Sequence, residues 1–292
     1  MTEYKSIKEA LTAIIDEYGA KILNNDKLFI AVLSDYAVDF PNEQRLLRKY
    51  IRNGFLSVIN QIINNDSENA LKSLGQSLVQ AESTAEERTS FFHFALTLFN
   101  SKITDDTFFN VGLELFRNIP KNKYVPIALL FFNKSAEQNN AEAMLYLSNI
   151  YFKGKGIDVN NEKALSYLKK AADLNNEKAK YELALRYKSG EQIEKDLRQA
   201  VSLLKTIDKP YASFELGEIY SLNFEYEKAF SYYLDSAKQG NVYAQYTTAI
   251  CLVTGKGTKR DVTESKKWLI LAAKNGHNGA RTKLKELGET WD

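Results

Sequence analysis

Residues 141–156 read AEAMLYLSNIYFKGKG, and the offsets inside this stretch decide the fold. From Ala143, Leu147 lies four residues on and Tyr151 four more, and Gly154 and Gly156 close the run. Positions spaced by four, three and four share one face of a helix, so the stretch is an amphipathic helix that glycine ends. The pattern recurs along the chain. Ala179 is followed by Leu183, Tyr187 and Gly190 at the same offsets. Ala212 leads Leu216, Gly217 and Tyr220, and Ala244 leads Ala249, Leu252, Gly255 and Gly257. Upstream, Thr107 precedes Val111, Gly112 and Leu115, and Ala280 opens a truncated copy. The steps from Thr107 onward are 36, 36, 33, 32 and 36 residues.

A second helix repeats behind the first. Ala164, Tyr167, Leu168, Ala171 and Ala172 match Ala128, Phe131, Phe132, Ser135 and Ala136 upstream. Downstream they match Ala229, Tyr232, Tyr233, Ser236 and Ala237, and then Ser265, Trp268, Leu269, Ala272 and Ala273. Each unit is thus two amphipathic helices, A and B, joined by a turn. Small residues (Gly112, Ala143, Ala184, Gly217) are expected to let helices approach closely. Gly154 and Gly255 are expected to end A helices in a left-handed conformation, with Asn175, Gly240 and Gly276 doing so after B helices. A hairpin of this size cannot bury its apolar face alone, and stacked neighbours bury it for one another. The expected fold is therefore all-α, a right-handed α/α superhelix or solenoid of helical hairpins.

The pattern resembles the Sel1-like repeat, a relative of the tetratricopeptide repeat. The residues that carry the likeness are A-x3-L-x3-Y-x2-G-x-G in 143–156 and K-A-x2-Y-L-x2-A-A in 163–172. Gly255-x-Gly257 and W-L-x2-A-A-K-N-G-H in 268–277 repeat them. The unit at Ala212 departs from the pattern with a short turn between its helices, more like a plain tetratricopeptide unit. The unit at Ala179 lacks the second glycine and has a clipped helix B near Pro210, and Thr248 stands where the fifth unit should have leucine.

Residues 1–104 are helical in period but hardly repetitive, and 105–292 carry the repeats and a capping helix. Ile14, Tyr18, Ile22 and Leu23 read as one helix, and Phe29, Val32, Leu33 and Tyr36 as another. Pro41 suits a first turn and Gly54 a helix end. Ser83 and Glu86 have capping-box spacing. The segment looks like a helical domain of uncharacterised bacterial proteins that also carry Sel1-like units, a resemblance that implies no activity. It is expected to cap the first solenoid unit.

Composition removes most chemistry. Of 292 residues, 39 are basic and 37 acidic, so the net charge of +2 draws neither nucleic acid nor an anionic membrane onto the whole surface. One cysteine allows no internal disulfide, and two histidines leave little for a metal centre. The charged N-terminal stretch has no signal-peptide core, and the longest apolar run, Ile127 to Phe132, is far too short to span a bilayer. A cytoplasmic location is expected, with no membrane insertion, cofactor or metal. Gly154-Lys-Gly156 and Gly255-Lys-Gly257 fall at helix ends and lack the spacing of a phosphate loop. His277 reads as a turn residue, His93 as a packed or partly exposed helix residue, and Cys251 as a small buried thiol.

The resemblance implies that A helices line a concave surface. The rows at the unit offsets give a candidate protein- or peptide-binding set. It comprises Glu142, Asn149 and Phe152 in one unit and Lys178, Tyr181, Leu185 and Lys188 in the next. Tyr211, Phe214 and Glu218 follow, and then Tyr243, Tyr246 and Ile250. The row through Tyr181, Phe214 and Tyr246 is large and apolar, which suits either packing between A helices or a ligand face. The expected function is non-catalytic, an adaptor or scaffold that holds a protein segment. Two other readings compete with it. One is a hydrolase-like activity, which some disulfide-rich members of the family suggest; the paired cysteines at their unit ends are missing here. The other is a peptide-sensing regulator whose N-terminal region contacts nucleic acid. With 11 basic and 13 acidic residues in 1–104, that region is slightly acidic, so no nucleic acid is expected as partner.

Overall fold

The computed structural model describes residues 5–99, 103–117 and 124–290, and among these there are helices and turns but no strand. The chain divides into two compact units, Met1–Lys170 and Ala171–Asp292.

The first unit begins with α1 (Ile7–Tyr18), a short 3-10 helix (Ala20–Asn24) and α2 (Asp26–Tyr36). Gly19 breaks what the spacing of Ile14, Tyr18 and Ile22 suggested was one helix; its φ of +73° turns the chain, and its N–H bonds Ile15 O. Pro41 opens α3 (Pro41–Ile51) as expected. Gly54 (φ +91°) lies in the turn immediately before α4 (Phe55–Ile63), so it launches the next helix rather than capping the last. After α5 (Ser67–Gln80), the capping box of α6 (Ala85–Thr97) is Thr84 with Glu87, one residue beyond Ser83 and Glu86. The Ser83 hydroxyl is engaged elsewhere, as acceptor for the buried Tyr50 hydroxyl at 3.0 Å. Burial raises the Tyr50 pKa. Its ring stacks on Phe91 at 3.6 Å, and Phe92 meets Phe131 edge-on at 4.9 Å. These fully buried aromatic side chains each contribute roughly 2–3 kcal/mol of transfer free energy.

Hairpins begin with α7 (Asp105–Arg117) and α8 (Val125–Glu137), followed by α9 (Ala141–Lys153) and α10 (Asn161–Asp173). The second unit holds α11 (Glu177–Ser189), α12 (Leu197–Leu204), α13 (Pro210–Leu222), α14 (Tyr226–Lys238), α15 (Val242–Thr254), α16 (Val262–Lys274) and the capping helix α17 (Asn278–Glu286). In it each B helix packs on its own A helix and on the next one, α14 on α13 and α15, α16 on α15 and α17. The helix B of the Ala179 unit is indeed clipped, with eight residues where α14 and α16 have thirteen.

The small residues have a more specific use than close backbone approach. A Cβ on Gly217 would lie 2.6 Å from the Tyr233 ring, and one on Gly112 would lie 2.9 Å from Phe132. The missing side chain in helix A makes room for an aromatic ring of its own helix B. Helix starts follow one rule as well. Asn140, Asn176 and Asn241 accept the N–H of Ala143, Ala179 and Ala244, and His277 Nδ1 accepts that of Ala280 at 3.1 Å. Each satisfies a backbone donor that the first turn leaves unpaired.

Candidate functional site: the A-helix face

In the first unit, Glu142 and Asn149 of α9 are half-buried, and the Asn149 amide donates to Leu145 O at 3.2 Å. Phe152 is buried at 8 % exposure, so its ring belongs to the packing of the unit.

The second unit carries the other ten residues. Lys178 is exposed; Tyr181, Leu185 and Lys188 are half-buried along the same helix. Tyr211, Phe214 and Glu218 are half-buried on α13. On α15, Tyr243 is 67 % exposed, and Tyr246 and Ile250 are half-buried. Long side chains bridge one A helix to the next. Tyr181 meets Tyr211 edge-on at 4.7 Å, and Tyr246 stacks on His277 at 4.3 Å with Tyr243 edge-on at 5.5 Å. Phe214 instead leans on Tyr233, whose hydroxyl donates to Glu218 at 2.6 Å. The large apolar row is therefore mostly engaged within the protein.

A residue that the row spacing missed organises the face. Glu215 accepts from Lys188 Nζ at 2.7 Å and from the Tyr181 hydroxyl at 3.4 Å. Burial, and then the Glu215 carboxylate, pushes the Tyr181 pKa up to about 12, so its hydroxyl stays a donor. Beside this pair opens a cleft of about 470 Å³ lined by Leu185, Lys188, Glu215 and Leu222, with Glu182, Arg186, Ser189 and Glu191 around it. Leu222 is 57 % exposed. One signal for Glu215 was available in sequence. It lies one position beyond the apolar row, with a charge opposite to that of Lys188 on the preceding A helix. Nothing in the sequence marks Leu222, which would pass for an ordinary helix-end residue.

Neither the histidines nor the thiol forms a reactive group. Burial raises the Cys251 thiol pKa, against a weaker opposing pull from Lys256. Its thiolate is disfavoured, and the thiolate is the nucleophilic form. His93 is exposed, and His277 is occupied as a cap. Among the described residues no group of three His, Cys, Asp or Glu side chains is placed to hold a metal, and no helix is long and apolar enough to cross a membrane.

Hairpins whose B helices pack on two A helices, with regular caps and one laterally bridged face, define an α/α solenoid-class repeat protein. The Sel1 repeat family model matches residues 141–176, 177–206, 210–241 and 242–277, so this span of the chain consists of four tandem Sel1 repeats. The α7/α8 hairpin precedes the first matched unit. The chain is similar to a Sel1 repeat protein from Oxalobacter formigenes, with a TM-score of 0.54 and 22 % identity over 70 % of this chain and 89 % of that one. It is also similar to c5321, a protective antigen of uropathogenic Escherichia coli with an SLR fold. There the TM-score is 0.58 and the identity 18 %, covering 81 % of this chain and 53 % of that one. A curated relative, the mouse DAP3-binding cell death enhancer 1, is 32 % identical over 85 residues. That match takes in 26 % of this chain and spans only 17 % of the relative's length. Sel1 repeat proteins are in general non-catalytic protein-interaction scaffolds.

Proposed function

We propose that this chain is a non-catalytic adaptor that holds an extended protein segment on the A-helix face of its second unit. The observation that carries this reading is the cleft between Leu185 and Leu222. Its volume of about 470 Å³ is that of a small ligand pocket. It has two apolar walls for an anchoring side chain and a fixed Lys188–Glu215 ion pair for backbone or polar groups. Anchor pockets ringed by polar groups are where interface energy concentrates. Lys178 on α11 and the Tyr243 ring on α15 are exposed, which suits an elongated ligand. In this reading Lys188 sets the register through Glu215 rather than by presenting a free charge, and Tyr181 holds Glu215 in place.

The test starts from peptides selected by display against the immobilised full-length chain. Their affinity is then measured by calorimetry for the wild type, Leu222→Asp and a distal control, Leu287→Asp. Both leucines are exposed, so folding is unaffected. An affinity loss on the order of tenfold or more for Leu222→Asp alone is expected, about 1.4 kcal/mol. Selected peptides that bind both variants equally well would place the interaction elsewhere.

A further inference from the structure

A second cleft belongs to the first unit, outside every matched repeat. It encloses about 690 Å³ and is lined along one side by α3, with Gln80 and Glu82 from the end of α5 and the segment after it. Arg45, Arg48 and Lys49 of α3 and Arg52 at its C-terminal cap all line it. Their spacing of three, one and three puts them on one helix face. Four cations thus face one carboxylate in the lining, inside a region whose overall charge is slightly negative. The asymmetry is local and is invisible in the charge total.

The cations differ in how they are held. Lys49 bonds Glu87 at 2.8 Å, and Arg45 approaches the same carboxylate only to 3.8 Å with a side chain 76 % exposed. Arg48 is fixed by neutral acceptors, Ser34 Oγ at 2.6 Å and Gln44 Oε1 at 3.1 Å, which position its guanidinium without cancelling its charge. Arg52 is exposed, and its guanidinium has no hydrogen-bond or ion-pair partner among the described residues. Two arginines therefore lack a carboxylate partner, one of them preorganised by its hydrogen bonds. Guanidinium groups in such a position take carboxylates in a two-pronged geometry.

We infer that this cleft is a docking site for an acidic segment of a protein partner, separate from the repeat face. The lining favours a peptide over a nucleic acid on three counts. No aromatic side chain lines it, whereas single strands are held largely by stacking on aromatic rings. Helix α3 forms the wall of a concavity, whereas a helix that reads duplex DNA must protrude into the major groove. Glu82 and Gln80 offer oxygen acceptors, which a peptide backbone can satisfy with its N–H groups and a phosphodiester backbone cannot.

The experiment uses the full-length chain and a short fluorescein-labelled peptide of alternating Glu and Gly, read by fluorescence anisotropy. The matching Lys-Gly peptide and labelled single- and double-stranded DNA of similar length run in parallel. The protein variants are Arg45→Gln with Arg52→Gln, and a control that neutralises Lys259 and Lys274 on the repeats. All four side chains are exposed, and melting curves verify that folding is unchanged. The expected result is salt-sensitive binding of the acidic peptide alone, weakened on the order of tenfold by the α3 variant and unchanged by the control. No binding of the acidic peptide, an equal loss in the control, or tighter binding of either DNA would overturn the inference. The variants lie in a different unit from Leu222, so this test and that of the repeat face fail independently.

Discussion

The hairpins α13/α14 and α15/α16 share a helix length and a partner order, yet they close differently. Seven residues join α15 to α16, as they join α9 to α10 and α11 to α12, whereas three join α13 to α14. Each long loop is pinned the same way, by the last loop residue reaching back to helix A: Asn160 N to Tyr151 O at 3.0 Å, Asp196 N to Tyr187 O at 2.9 Å, and Asp261 N to Leu252 O at 2.9 Å. The second glycine then lies against the start of the preceding B helix. A Cβ on Gly257 would fall 2.0 Å from the Tyr226 carbonyl oxygen, and one on Gly156 would fall 2.9 Å from Val125. The G-x-G signature is therefore a stapling device between neighbouring hairpins as well as a helix terminator. The α13/α14 turn has no such loop. There Leu222 and Phe224 are left exposed at 57 % and 78 %, and the cleft opens beside Leu222. The departure from the repeat pattern coincides with the cleft proposed above as the docking site.

The largest effect should come from attacking the staple. Gly257→Ala combines a backbone clash with a residue at φ +74°, and a loss on the order of 3 kcal/mol is expected in urea unfolding. A loss below about 0.5 kcal/mol would mean that the loop does not staple the hairpins. Next comes the cap shared by the four unit ends. His277→Ala should cost about 1 kcal/mol, and His277→Asn, the residue found at positions 140, 176 and 241, should restore it. The two variants also separate by pH. Burial lowers the His277 pKa below the ordinary histidine value. Its contribution is full above the unfolded value and is lost as pH falls through the lowered one, where protonation also removes the Nδ1 acceptor. Melting temperature should therefore fall on acidification in the wild type and stay flatter in His277→Asn.

A gain of about 1 kcal/mol is expected from Thr248→Val. Thr248 occupies a leucine place on α15, and its buried hydroxyl oxygen has no hydrogen-bond partner among the described residues. A matched change in shape without that oxygen should raise the unfolding midpoint. The smallest effect should come from the short turn. Phe224 takes a φ of +63° without being glycine, so Phe224→Gly should relieve strain and stabilise by about 0.5 kcal/mol once the added freedom of the unfolded chain is subtracted. If it destabilises instead, the Phe224 contact with Tyr226 at 6.1 Å matters more than the strained turn.

The repeat, its helices and most of their ends were legible because they depend on local spacing. Ala143, Leu147 and Tyr151 must share a face in any helix, and Gly154 (φ +61°) and Gly255 (φ +75°) end theirs as expected. Position 192 shows the limit of that logic. It lacks the glycine, yet Gln192 adopts φ +62° and keeps the loop, because its seven-residue length and backbone bond impose the conformation. The N-terminal helices were less legible for the same reason in reverse. With no repeat to average over, one glycine at 19 or a one-residue shift from Ser83 to Thr84 changes a boundary. Of the candidate face, the sequence located the A helices, but it counted Phe152, whose ring is buried, and missed Glu215 and Leu222.

By itself, the sequence determined an all-α chain of amphipathic hairpins that can hide their apolar faces only on one another, since helical period and turn chemistry are properties of neighbouring residues. Only the tertiary structure decided which outward residues pair, as Lys188 does with Glu215, where the short turn leaves a cleft, and how four cations along α3 and at its end come to line another. Those outcomes depend on distances between helices that lie tens of residues apart, and no spacing along the chain encodes a distance across it.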